Sequence, residues 1–195
     1  MKQKFLILFF LLVCSFVNSC KGQTQQYVEQ FNDCTNSELA RKKMKTYQLD
    51  SFNFMKLMDS VEMTVLGTQK VTKKEYLNFL EKIDEYVFER NQKFSDALFI
   101  LERNGFHLDG SDFLMVINFC PGKIIQNNGW LGSDNKIEKR QIILERLIDN
   151  PENNLTKSLK GYISLLDDSE FQQMEFRFPL ILIPLKYYVY EFPER

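Results

Sequence analysis

Apolar positions in this chain recur mostly at helical spacing. Phe54, Met58, Val61 and Val65 fall on one helix face, and Gly67 behind them suits the left-handed conformation that closes a helix. Thr72-Lys73-Lys74-Glu75 has the form of a capping box, in which threonine and glutamate side chains each satisfy an orphan amide. Tyr76, Phe79, Leu80, Ile83 and Val87 then mark one face up to about Gln92. Ser95 can cap a shorter helix carrying Leu98 and Leu101 and ending at Asn104-Gly105. A helix from about Lys136 to Leu147 places Ile137, Leu144 and Leu147 on one side. Asn150-Pro151 offers a cap and a first-position proline for the next, whose inner face is Leu155, Leu159, Tyr162, Ile163 and Leu166.

Three stretches read less simply. A first helix spans about Tyr27 to Tyr47, with an interruption at Asn32-Asp33-Cys34-Thr35-Asn36 and with Asn36 or Ser37 capping a second piece. Phe113 to Phe119 is apolar except for Asn118; periodicity cannot separate a buried strand from a buried helix here, and the helical neighbours favour helix. In the C-terminal part Met174, Phe176, Phe178, Leu180 and Leu182 alternate, followed by Pro184 and the aromatic group Tyr187, Tyr188, Tyr190 and Phe192. That pattern suits a strand pair or a buried helix kinked at Pro184, and Pro179 weakens both. Gln126 to Asn135 is a surface loop by its asparagines and glycines. The expected fold is mainly α, a single globular domain over residues 27–195; the alternative is α+β with a small C-terminal antiparallel sheet.

The first twenty residues follow another logic. Lys2 and Lys4 precede an apolar run from Phe5 to Val13, and the segment closes on Val17-Asn18-Ser19-Cys20. Roughly a dozen apolar residues fall short of the about twenty that a spanning helix needs, so this is an export signal. Its close resembles the lipobox of bacterial lipoproteins, with Val17 where the family usually has Leu. The resemblance covers residues 1–20 and implies that 1–19 are removed and that Cys20 is acylated, with 20–26 as a tether. It further implies a membrane partner through the N-terminal lipid. Lys21, in place of the Asp that retains such proteins at the inner membrane, points to the outer membrane, and the lack of an acidic run after Cys20 favours its periplasmic face. The rival reading is a secretory signal cut near Ser19 or Gly22, which leaves a secreted protein.

A chain of 195 residues with 44% hydrophobic and 14% aromatic content can bury one good core. Without residues 1–19 it carries 23 basic against 26 acidic side chains, a formal net charge of −3, which argues against nucleic acid as a partner. Short basic clusters such as Arg41-Lys42-Lys43 read as solvated surface. Cys34 and Cys120 are the two thiols left in the domain. Paired in an oxidising compartment, they would add roughly 4 kcal/mol by constraining the unfolded chain; unpaired, Cys120 would be a buried thiol beside Phe119.

Candidate chemistry is sparse. His107 is the single histidine, and Asp109 and Asp112 beside it do not follow the calcium-loop pattern, so no metal and no cofactor is expected. Asp167-Asp168 reads as a helix terminus rather than an acid–base pair. Trp130, the single tryptophan, lies in the polar loop, where it either anchors a partner or folds back onto the core. Asp59-Ser60-Val61 resembles the acceptor of bacterial periplasmic O-glycosylation, over three residues only. The leading expectation is an envelope lipoprotein that binds another protein as an accessory module. An immunity lipoprotein neutralising a toxin, and a hydrolase built on scattered carboxylates, are the alternatives.

Overall fold

The computed structural model describes residues 22–47, 51–68, 71–132, 134–149 and 154–192. Every regular element among them is helical, so the fold is mainly α, and the C-terminal sheet is absent among the described residues.

The opening run consists of α1 (Gln23–Cys34), a π-helical turn (Thr35–Ala40) and α2 (Arg41–Tyr47), joined without a break. It starts four residues before Tyr27, so the expected tether overlaps its first turn. Neither Asn36 nor Ser37 caps a second piece. Instead Thr35 Oγ1 donates back to the carbonyls of Phe31 (3.0 Å) and Asn32 (3.1 Å), and Ser37 Oγ to that of Cys34 (3.3 Å). Such back-bonding lets the chain widen into a π turn where a break was expected.

α3 (Phe54–Leu66) starts on Asn53, whose Oδ1 accepts from the Lys56 amide at 3.0 Å, and ends on Gly67 at φ 72°. α4 (Lys73–Glu81) carries both bonds of the Thr72–Glu75 capping box. The helix expected to reach Gln92 is interrupted at Lys82, and α5 (Ile83–Phe88) continues the stripe; Tyr76, Phe79, Leu80, Ile83 and Val87 are all buried across the break. α6 (Gln92–Arg103) begins earlier than expected. Asn91 is its cap, accepting from the amides of Lys93 (3.0 Å) and Phe94 (3.4 Å), while Ser95 sits inside the first turn and bonds the Asn91 carbonyl at 3.3 Å.

The apolar stretch at 113–119 is helical, as favoured: α7 (Ser111–Leu114), a second π-helical turn (Met115–Phe119) and α8 (Cys120–Asn127) run on continuously. Pro121 has no amide to give the Ile117 carbonyl, its α-helical partner four residues back. Gln141 Nε2 donates to that carbonyl instead, at 3.0 Å, which accounts for a buried glutamine at this place. Gln141 belongs to α9 (Lys136–Asp149). The following helix, α10 (Leu155–Ser164), is capped by Asn154, whose Oδ1 accepts from the Lys157 amide at 2.7 Å; Asn150-Pro151 lie outside the described residues. Two short helices, α11 (Asp168–Phe171) and α12 (Met174–Arg177), lead to α13 (Pro179–Glu191).

α13 buries Pro179 through Leu185 and Tyr188, so its first two turns are apolar on every side. That explains the alternation seen in the sequence: a helix buried all round carries no 3.6-residue period to read. Pro184 lies inside it without ending it. α13 packs on α3, α5 and α6, α3 packs on α6, and α1 packs on α8. One cluster of buried side chains runs from Tyr27 to Tyr188.

Candidate functional site

The two π turns meet, and the cysteines stand at their edges. Cys34 ends α1, Cys120 begins α8, and a disulfide joins them with Cα atoms 5.9 Å apart across 86 positions of sequence. Beside it lies an open hollow of about 760 Å³ lined by Gln30, Asp33, Asn36, Ser37, Lys123 and Asn127. Its far wall is already cross-linked: Asn128 Oδ1 accepts from Gln26 Nε2 at 2.6 Å, and Asn128 Nδ2 donates to Gln30 Oε1 at 2.7 Å.

Buried charge is concentrated in three pairs. Lys43 Nζ donates to Asp112 Oδ2 and to the Gly105 carbonyl, and the His107 amide reaches the same carboxylate at 3.1 Å. Arg177 grips Glu62 with Nε at 2.8 Å and Nη2 at 3.0 Å, and its Nη1 donates to the carbonyls of Phe171 and Gln172. The Tyr76 hydroxyl also donates to Glu62. Burial and the Glu62 charge hold that phenol far above its ordinary range. Hydrogen bonding and attraction from Glu62 raise Arg177, although burial acts against its charge. Arg140 Nη2 meets Glu170 at 3.0 Å, and the guanidinium carbon lies 4.6 Å from the centre of the Phe176 ring.

Lys43, expected on the solvated surface with Arg41 and Lys42, is instead buried, and the other two pairs were not anticipated, yet a signal was present. Glu62 stands four residues after Met58, and Arg140 lies between Ile137 and Leu144, so each falls on an apolar stripe. A charge on such a stripe is buried and therefore needs a partner.

The residues singled out for chemistry are scattered. Asp112 is committed to Lys43, and Asp109 is exposed. Among the described residues no group of three or more His, Cys, Asp or Glu side chains is placed to hold a metal ion. Asp167 caps α11: the Glu170 backbone amide, then the Ser169 hydroxyl, hold its carboxyl below the usual range. Asp168 forms a surface ion pair with Lys73 at 2.8 Å. Ser60 is exposed on α3 with its hydroxyl donating to the Lys56 carbonyl at 3.1 Å. Burial, then repulsion from Glu62, raises its neighbour Asp59. Trp130 is half-buried against the core, and its neighbour Leu131 is 67% exposed.

One surface feature is apolar. Phe113, Leu147, Ile148, Ile183, Tyr187 and Tyr190 enclose a hollow of about 190 Å³ between α7, α9 and α13. The Tyr187 hydroxyl donates to the Leu147 carbonyl at 2.8 Å, and burial pushes its pKa up to about 12. Lys186 Nζ lies 5.8 Å from the centre of the Phe113 ring. Tyr190 stands at the rim, 74% exposed.

No protein-family model, no curated protein and no solved structure matches this chain. The site geometry therefore stands on its own chemistry. No helix among the described residues is long and apolar enough to cross a membrane.

Proposed function

We propose that this chain is a lipid-anchored cell-envelope protein, held through Cys20 at the periplasmic face of the outer membrane, that works by binding another protein. The lipobox-like close at Ser19-Cys20 supports the anchor. The apolar hollow at α13 carries the binding reading. At about 190 Å³ it is smaller than the roughly 300–1,000 Å³ of small-molecule sites, and its size suits one apolar side chain of a partner. Its walls are set in advance, because Leu147 and Ile183 belong to the core and the Tyr187 hydroxyl is tied to backbone. An exposed tyrosine beside such a pocket is the usual form of an interface anchor.

A photo-crosslinking amino acid at position 190, compared with one at Phe99, tests this. Phe99 is 64% exposed but lies outside the hollow. The expected result is one dominant adduct from position 190 in native membranes and none from position 99. Identical adducts from both sites, or none from 190, would rule out the hollow as the binding surface.

A further inference from the structure

We infer that the anchored domain rests on the bilayer instead of hanging from its lipid, with the surface around the start of α1 lying in the headgroup layer. This rests on acylation of Cys20, as proposed above. Two peptide units separate the Cα atoms of Cys20 and Gly22, a reach of at most about 7 Å. A headgroup layer is itself roughly 5–8 Å thick, the difference between the hydrocarbon core and the whole bilayer shared between two faces. A lipid held at Cys20 therefore brings Gly22 to the outer edge of the headgroups at the farthest.

Gly22 already belongs to the folded body. Its carbonyl accepts from the Gln26 amide at 3.1 Å, the first bond of α1. Thr24 Oγ1 donates to Glu170 Oε1 at 3.1 Å, and Glu170 is buried and paired with Arg140. Gln26 Nε2 reaches Asn128 at 2.6 Å. The first turn of α1 is thus tied to α11, to α9 and to the turn after α8, and where it goes the domain follows.

The surface at that point is a shallow hollow lined by Gly22, Thr24, Gln25, Val28, Glu29, Ser169 and Gln173. The Thr24 and Ser169 hydroxyls there already donate to Glu170 and Asp167, which leaves the side-chain amides of Gln25 and Gln173 to donate to phosphate and glycerol oxygens of lipid headgroups. Glu29 is its one charged side chain and none is basic, so contact follows from the short tether and not from attraction to anionic headgroups, and salt does not weaken it, unlike attraction by a polybasic patch. Lys45, exposed on α2, lies roughly 30 Å further along the helical run.

The test uses the protein processed in its host, beginning at the acylated Cys20, in vesicles of phosphatidylethanolamine and phosphatidylglycerol carrying a headgroup quencher. A fluorophore is placed on Gln25→Cys, Gln173→Cys or Lys45→Cys, with the Cys34–Cys120 bond left oxidised. Labels at 25 and 173 should lose most of their fluorescence and the label at 45 little, in low and high salt alike. An inserted Gly/Ser segment of about twelve residues between Lys21 and Gly22, with a reach of about 20 Å, should abolish the difference. Equal quenching at the three positions, or a difference that survives the insertion, would overturn the inference while leaving the anchor intact. If the unlabelled protein fails to float with the vesicles, the acylation reading itself falls, and this inference falls with it.

Discussion

The opening run of α1 and α2 and the C-terminal helix α13 both bury large side chains, but different forces hold them. α13 is placed by packing alone over Pro179 to Leu185, where each side chain meets other apolar groups. The opening run buries Tyr27, Phe31 and Leu39 and is also held by named partners: Cys120, Asp112 for Lys43, Glu175 for Asn32 and Glu170 for Thr24. Packing is non-directional and tolerates exchange at constant volume, whereas a buried ion pair or disulfide accepts one partner in one geometry. The opening run is therefore set in register by chemistry, and the Pro179–Leu185 part of α13 by shape, with hydrogen bonds from Tyr187 to Leu147 and from the Asn91 amide to Tyr188 only beyond it.

This contrast predicts an order of sensitivities. Asp112→Ala leaves the Lys43 ammonium buried without its carboxylate and should cost roughly 3–5 kcal/mol in urea denaturation. Replacing Lys43 by Met in the same chain should recover most of that; a loss as large in the double variant would mean that volume, not charge, holds α2. The pair Cys34→Ala and Cys120→Ala should cost roughly 4 kcal/mol, measured by the same titration, and the oxidised protein under a reductant should approach the same midpoint. For α13, Leu182→Ala should cost roughly 2–5 kcal/mol while Leu182→Met costs under about 1.5 kcal/mol; equal losses would show that α13 is as exacting as the opening run.

The smallest effect belongs to the rim of the apolar hollow. Tyr187 keeps its proton up to about pH 12, whereas in the unfolded chain a tyrosine releases it near 10. Between those values the unfolded state binds fewer protons than the folded one, so stability contributed by this group is present below about pH 10 and is lost as pH rises. Tyr187→Phe should flatten part of that alkaline fall and should cost about 1 kcal/mol at neutral pH for the lost bond to the Leu147 carbonyl. Unchanged slopes between pH 10 and 11.5 would show that the phenol does not ionise as its burial implies.

The same contrast explains what was legible in the sequence. α3 and the Thr72 capping box could be read because half of each helix faces water and caps involve neighbours in the chain. The break at Lys82 could not, since α4 and α5 present one continuous stripe to the core. Choosing Ser95 over Asn91 as a cap overlooked Phe94, which is fully buried and needs to lie within the helix. α13 hid its helical period because every position from Pro179 to Leu185 is buried. The C-terminal tyrosines were legible only as an aromatic group, and the structure places Tyr187 and Tyr190 on the apolar hollow. Its other walls come from α7 and α9, some 70 and 40 residues away in sequence, as the Tyr187–Leu147 bond spans 40 positions; such convergence follows from tertiary packing and leaves no local pattern. Trp130 stood out by its rarity, and it packs half-buried against the core.

The most direct test of the anchored reading is the intact mass of the protein extracted from the membranes of its native host. A chain that begins at Cys20 and carries the added mass of acyl groups, lost in Cys20→Ala, is the predicted result. An unmodified chain beginning after Ser19 or Gly22, recovered from the soluble fraction, would contradict it.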